Sequence, residues 1–379
     1  MVLRRLLLTV LVLSVIPAAP AVATRTGPLQ QDVNRITAVG VTGVLARTTA
    51  PSGRSRTAVG GVASADAPGR PRADGHFRIG STNKTLVATI VLQLVGEGRM
   101  GLDDTVEKWL PGFVRGHGND GRLITVRQLL QHTAGIYDGN FPVMDNAEQY
   151  HQQRYVVRTE EEIVRAGLSH APDFAPGTGW QYSNTGYDLV GLVIKAVTGR
   201  PWYDEVQRRI VRPLGLRHTY WPGTNPRIAW PHARGYTRFA AGEPYTDTTE
   251  LIDVDASGGY ISTLADLDRF QRALFAGELL RKAQLREMTR TIPVGGQAAE
   301  LWPGARYGLG IFSRDLACGG TLWIPGGDQL GYRTRLGVTA DGKRSAAVSM
   351  STQLYDSAEI VFAQDKAATR LIDRAICAR

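Results

Sequence analysis

A helix without a polar face has to lie near the centre of whatever domain contains it. Downstream of Ser81, the residues Leu86, Val87, Ile90, Val91 and Leu94 recur at helical spacing until Gly96 and Gly98 stop the run. Thr85, Ala88 and Thr89 fill the opposite side with small residues, so this segment is expected to be buried on most faces. Layers must therefore enclose it, and the flanking patterns supply them. Gln30 to Thr57 alternates apolar and polar positions through Ile36, Val39, Val41, Val44 and Ala46, which reads as strands opening a sheet. Strand patterns return at Gly308 to Phe312, Thr321 to Ile324, Tyr332 to Thr339 and Ser345 to Ser351, before a final helix from about Ala358 to Ile376. The middle holds helical segments at Val126 to Leu130, Glu160 to Ala166 and Thr185 to Val197, punctuated by Pro176-Gly177 and Pro213-Leu214-Gly215. Thr263 is a suitable N-cap for a further helix over Ala265 to Phe275. Strands at both ends of a helical middle predict an α+β fold. Its α/β lobe would come from about 28–95 and 262–379, with a helical lobe from about 96–261 inserted into it.

The N-terminus bears on compartment. Arg4 and Arg5, an apolar stretch from Leu6 to Ile16 and the small-residue triplet Ala21-Val22-Ala23 predict a signal peptide over 1–23. The chain is then expected to be secreted, the alternative being an uncleaved anchor. No later stretch approaches the ~20 apolar residues of a spanning helix, so no stable membrane span is expected after cleavage, and the mature protein reads as a monomer. Hydrophobic residues at 43% and charged residues at 21% describe an ordinary globular chain. The formal charge of +9 is scattered and mostly arginine, without a nucleic-acid motif, so nucleic acid is not expected as a partner. Attraction to an anionic cell wall is the remaining reading of that charge, and it requires retention on purified wall that weakens with salt. In an oxidising compartment the two cysteines, Cys318 and Cys377, are expected to pair. Closing a loop of ~60 residues would contribute ~3–4 kcal/mol.

Ser81-Thr82-Asn83-Lys84 is the only S-x-x-K in the chain. Residues three apart share a helix face, so the Lys84 amine is brought beside the Ser81 hydroxyl. The helix N-terminus favours the developing alkoxide. Tyr182-Ser183-Asn184 is the only Y-x-N. A phenol there can pass a proton to a leaving group, and an amide can orient an acyl chain and hold Lys84. Either motif alone has a plain structural reading, a capped helix start for the first and a turn before a helix for the second. Their order, spacing and context together favour chemistry. His132, one of seven histidines, invites a Ser-His reading, but no G-x-S-x-G or H-E-x-x-H is present.

With its flanks, this pattern resembles the class C beta-lactamase and DD-peptidase superfamily. The resemblance is carried by Phe77-Arg78-Ile79-Gly80 before Ser81, Gly101-Leu102-Asp103-Asp104, and Leu129-Leu130-Gln131-His132-Thr133-Ala134-Gly135-Ile136. It continues through Tyr182-Ser183-Asn184-Thr185-Gly186-Tyr187, Pro213-Leu214-Gly215-Leu216 and Gly258-Gly259-Tyr260-Ile261-Ser262-Thr263. The run from Cys318-Gly319-Gly320 to Asp341-Gly342-Lys343-Arg344-Ser345 is similar to secreted actinobacterial D-alanyl-D-alanine carboxypeptidases. The resemblance implies a beta-lactamase/transpeptidase-like fold: an antiparallel sheet with helices on both faces, a helical lobe, and a cleft between them. It implies Ser81 as the nucleophile of an acyl-enzyme, with Lys84 and Tyr182 handling protons beside Asn184, and it makes His132 a structural turn residue. Beta-lactams and peptide or ester substrates, peptidoglycan stem peptides among them, are the implied partners, with no metal or cofactor. The implied oxyanion site uses the backbone N–H groups of Ser81 and Asp328, beside Gly326 and Gly327.

One landmark departs from the pattern. Where the superfamily carries His or Lys, then any residue, then Gly, this chain has Pro325-Gly326-Gly327. Losing that cation weakens the field around Ser81 and the docking of a substrate carboxylate. Three readings follow. The first is a D-alanyl-D-alanine carboxypeptidase that anchors the carboxylate through Arg314, Arg333 or Arg335. The second is an esterase, amidase or beta-lactamase of the same fold, and the third a catalytically weak peptidoglycan- or beta-lactam-binding protein.

Overall fold

The computed structural model describes residues 27–139 and 144–378; the expected signal peptide at 1–23 lies outside them. The main sheet is antiparallel throughout. From one edge its strands run Ser55–Gly61, Gly43–Thr49, Ser345–Met350, Tyr332–Thr339, Thr321–Ile324, Phe312–Asp315, Arg306–Tyr307 and Ile292–Pro293. A further strand, Gly327–Gln329, also pairs with Tyr332–Thr339. Among the described residues no helix is long and apolar enough to cross a membrane.

Alternation along these strands separates two cores. Val44, Ala46, Ala346, Val348 and Met350 pack with Val33, Ile36, Leu371 and Ile372 from the first and last helices. Leu45, Ala347, Leu336 and Val338 point the other way, toward Leu86, Val87, Ile90 and Phe270. The helix Asn83–Gly96 is therefore internal, with Asn83 to Leu92 all buried, as its pattern predicts. Two of its polar groups find partners inward: Asn83 Nδ2 donates to the Ala256 carbonyl (2.7 Å) and Thr85 Oγ1 to that of Gly310 (2.6 Å), while Asn83 Oδ1 has none. Such partners offset the cost of burying polar groups at the centre of the fold.

The first segment differs from expectation. Gln30 to Thr57 is not strand throughout; Pro28–Thr37 is a helix, followed by Gly43–Thr49 and Ser55–Gly61. Pro28 sits where a missing N–H costs nothing, and Val33 with Ile36 puts both buried apolar side chains on one helical face. Gly308 to Phe312 also departs, since the chain turns between Arg306–Tyr307 and Phe312–Asp315. Within the stretch expected to be helical, Tyr236–Arg238 pairs in parallel with Thr352–Leu354. Cys318 and Cys377 are joined, tying the end of the last helix, Ala358–Cys377, to the turn before Thr321.

Pro325 is accommodated by interrupting a strand rather than shifting it. Pairing with Tyr332–Thr339 lapses at Pro325-Gly326 and resumes in the same register, with Trp323 opposite Val338 and Gly327 opposite Thr334. A residue without an N–H removes ladder bonds but leaves the strand's course intact.

Candidate active site

Ser81 lies in a single 3₁₀ turn, Gly80–Thr82, that leads into the buried helix. Gly80 has φ +49°, and a Cβ there would come within 2.3 Å of the Asp328 carbonyl oxygen. Gly327 is tighter still, since its Cβ would meet Ile79 O at 2.2 Å and Ser81 N at 2.6 Å. Two glycines thus let the strand Gly327–Gln329 lie backbone to backbone against the nucleophile turn. The expected oxyanion donors, the Ser81 and Asp328 N–H groups, belong to these two apposed backbones.

Lys84 is 1% exposed. Its Nζ is 3.3 Å from Ser81 Oγ and donates to Asn184 Oδ1 (2.6 Å) and the Ser257 carbonyl (3.0 Å). The face-sharing inferred from the S-x-x-K spacing holds, and the fold brings Asn184 to it from 100 residues away. Tyr182 arrives on the same segment, its ring centroid 4.8 Å from Lys84 Nζ. His132 supports that ring from behind, at 4.3 Å between centroids. It occupies a left-handed helix cap (φ 61°) and its Nδ1 accepts from the Ser183 N–H (3.2 Å). The ring proton therefore sits on Nε2, facing the Tyr307 hydroxyl at 3.1 Å. Burial, then the charge of Lys84, holds the imidazole well below its ordinary pKa, so it is a neutral structural group.

Asp138 is a site residue that motif reading did not find. One oxygen accepts from the Asn184 and Thr185 N–H groups (2.8 and 3.3 Å), and the other from Asn184 Nδ2 (3.1 Å). That second bond fixes the amide so that its oxygen, not its nitrogen, meets Lys84. Burial pushes the Asp138 carboxyl above its usual value, opposed by Lys84 and the two N–H groups. An Asp138→Asn variant offers an NH₂ to one of these donors and frees the Asn184 amide to turn. We expect kcat to fall about 10- to 100-fold with little change in melting temperature; an unaltered kcat would remove Asp138 from the positioning role. The Ser257 carbonyl was also missed, because backbone acceptors leave no trace in residue identity.

The arginines considered as carboxylate anchors are already engaged by carboxylates of the protein, although Arg335 borders the cavity that holds Ser81 and Tyr182. Arg314 is ion-paired with Asp373 on the last helix. Arg333 and Arg335 are each 4% exposed and point to the sheet face covered by that helix. Arg335 donates to Asp328 Oδ1 and Asp365 Oδ1, both at 2.5 Å, and Arg333 lies 3.3 Å from Asp328 Oδ2. Burial pushes the Asp328 carboxyl up, but the two guanidiniums outweigh it and hold the group at about 2. Alternation places residues 333 and 335 opposite Leu336 and Val338, which face the nucleophile helix, so period-two reading alone would have turned both arginines away.

A Ser-Lys pair at the mouth of a buried helix, with Tyr and Asn on a neighbouring segment and a glycine strand across from it, defines a serine hydrolase of the beta-lactamase and penicillin-binding-protein fold. A family model described as Beta-lactamase matches residues 35–369, and the chain belongs to that family. Among solved structures it is similar to a D-stereospecific amidohydrolase from Streptomyces sp., with 38% identity and a TM-score of 0.80, covering 88% of this chain and 96% of that one. It is 30% identical over 220 residues to penicillin-binding protein 4* of Bacillus subtilis (strain 168), covering 55% of this chain and 46% of that protein. Esterase EstB of Burkholderia gladioli is 36% identical over 188 residues, 46% of each chain. These matches span about half the length of the curated relatives.

Proposed function

We propose that the protein is a secreted serine amidohydrolase with esterase activity, acting through an acyl-enzyme on Ser81. The observation that carries this reading is the convergence of Lys84 Nζ on Ser81 Oγ (3.3 Å), with Asn184 and Ser257 holding the amine. Lys84 takes the Ser81 proton, and Oγ attacks the amide or ester carbonyl. The Ser81 and Asp328 N–H groups receive the developing oxyanion. Tyr182 passes the proton to the leaving amine or alcohol. Water, deprotonated through the same groups, then attacks the acyl-enzyme and releases the acid.

An amidase or esterase is favoured over a D-alanyl-D-alanine carboxypeptidase because the latter needs a cation for the terminal carboxylate. Pro325 stands where that cation would be, and Arg333 and Arg335 are engaged by Asp328 and Asp365. The similarity to an amidohydrolase along nearly its whole length points the same way. An intact Ser-Lys-Asn constellation speaks against a catalytically weak binding protein. Amino-acid amides, p-nitrophenyl esters, D-Ala-D-Ala peptides and nitrocefin, each assayed with wild type and Ser81→Ala, test the reading. Amide and ester turnover that depends on Ser81 is the expected result. Release of terminal D-Ala faster than amide hydrolysis would restore the carboxypeptidase.

A further inference from the structure

The cleft is chemically divided about Ser81. Two cavities meet at Ser81, Asp138, Asn184 and Asp328. One, of about 450 Å³, carries Trp180, Tyr182, Trp302 and Phe312. The other, of about 280 Å³, is lined by six aspartates: Asp138, Asp145, Asp188, Asp253, Asp255 and Asp328. Among the described residues no Lys, Arg or His lines it.

Asp328 has its charge answered by two arginines, and Asp138 and Asp255 are each met by three hydrogen-bond donors. Asp188 and Asp253 are less fully met. Asp188 is 1% exposed; its Oδ1 accepts from the Ser257 N–H at 3.0 Å, while Oδ2 is buried with no hydrogen-bond partner. Asp255 Oδ1 accepts from Ser257 Oγ (2.8 Å) and the Gly258 N–H (2.9 Å). Asp253 accepts from Gln329 and lies against Asp255. Burial first, and then Asp255, pushes the Asp253 carboxyl up to about 8 and that of Asp188 well above its ordinary value. Behind them Glu160 is likewise pushed up to about 8 by burial, and its Oε1 has no partner.

The nearby cations are occupied. Arg78, behind Asp253, donates to the carbonyls of Pro226 (2.6 Å) and Leu251 (2.7 Å), and Lys84 is held by Asn184 and Ser257. A buried carboxyl oxygen without a donor is costly, and this cavity groups several acids around one. Among the described residues no three His, Cys, Asp or Glu groups are arranged to hold a metal ion. An ammonium is less demanding, because its three N–H donors rotate to meet separate acceptors.

We propose that the acidic cavity is the subsite for a primary ammonium group that the substrate carries beside its scissile carbonyl, received by Asp188 and the Asp253–Asp255 pair. The inference rests on the reading of Ser81 as an acyl-transfer nucleophile and names the substrate class of that site: amides and esters of amino acids with a free amine.

The test uses both enantiomers of an aromatic amino-acid p-nitroanilide, each as the free amine and as its N-acetyl derivative, at neutral pH. For the enantiomer the enzyme turns over, kcat/KM is expected to be about 10- to 100-fold higher for the ammonium form, as for a charge-assisted contact. Asp253→Asn should remove most of that preference. Equal or faster turnover of the N-acetyl form by wild type overturns the subsite, while continued Ser81-dependent hydrolysis of p-nitrophenyl acetate shows that the hydrolase reading survives. Loss of that ester turnover in wild type would mark failure of the hydrolase reading instead. Calorimetric titration of full-length wild type with benzylammonium and benzyl alcohol needs neither turnover nor a variant. The cation should bind at least about tenfold tighter, and equal affinities overturn the proposal.

Discussion

Ser81→Ala is expected to lower turnover on the order of 10⁴-fold or more, with Lys84→Ala close behind, as for other residues that act as one nucleophilic unit. The methyl group that replaces the Ser81 hydroxymethyl has no oxygen to acylate. Lys84→Ala leaves Ser81 Oγ without a base, because among the described residues the other basic side chain close by, His132, spends both ring nitrogens on Ser183 and Tyr307. It also strands the Asn184 Oδ1 and Ser257 carbonyl acceptors, so some stability should be lost alongside activity. Intact-mass analysis after incubation with a penicillin separates the two effects. A covalent adduct should form on wild type, be absent from Ser81→Ala, and accumulate far more slowly on Lys84→Ala under conditions where that variant remains folded. Substantial activity in either variant would overturn the assignment.

Gly327→Ala should be nearly as damaging, for a different reason. The added methyl would sit 2.2 Å from Ile79 O, 2.5 Å from Thr82 N and 2.6 Å from Ser81 N. All three are backbone atoms of the nucleophile turn, which cannot rotate away as a side chain would. The strand itself is pinned by pairing with Thr334 and Arg333. Relief therefore requires the strand to lift from the turn, which would pull the Asp328 N–H out of reach of a developing oxyanion. Loss of one such donor costs about 10²- to 10³-fold in kcat, and the forced packing costs about 1–3 kcal/mol of stability. Gly326→Ala is the comparison, since its nearest neighbour, Thr334 O, would be 3.4 Å away. Ester kcat and melting temperature for both variants check the argument, and wild-type kcat in Gly327→Ala would sink the oxyanion role of this strand.

What the chain discloses by itself is whatever depends on short separations. The Ser81-Lys84 pairing is one helical turn, and the burial of its helix follows from apolar residues on every side. The helices at Glu160–Leu168 and Leu264–Phe275 start where Thr159 and Thr263 cap them, and side-chain caps act within a few residues. The opening segment misled because Val39 and Val41 are two apart, like Val44 and Ala46 of the strand that follows, while Val33, Ile36 and Val39 keep helical spacing. Packing against the last helix decided between them.

Tertiary structure alone decided what the cleft can bind. Asp138 meets Asn184 across 46 residues, and Gln329 meets Asp253 across 76, with no periodic signal linking either pair. Arg333 and Arg335 carry the charge a carboxylate anchor would need. Folding spends that charge on Asp328 and Asp365, even though Arg335 borders the cavity beside Ser81. The reactive group was legible because its geometry is local. The charge of the pocket beside it was not, because an electrostatic field sums over side chains that only folding brings together.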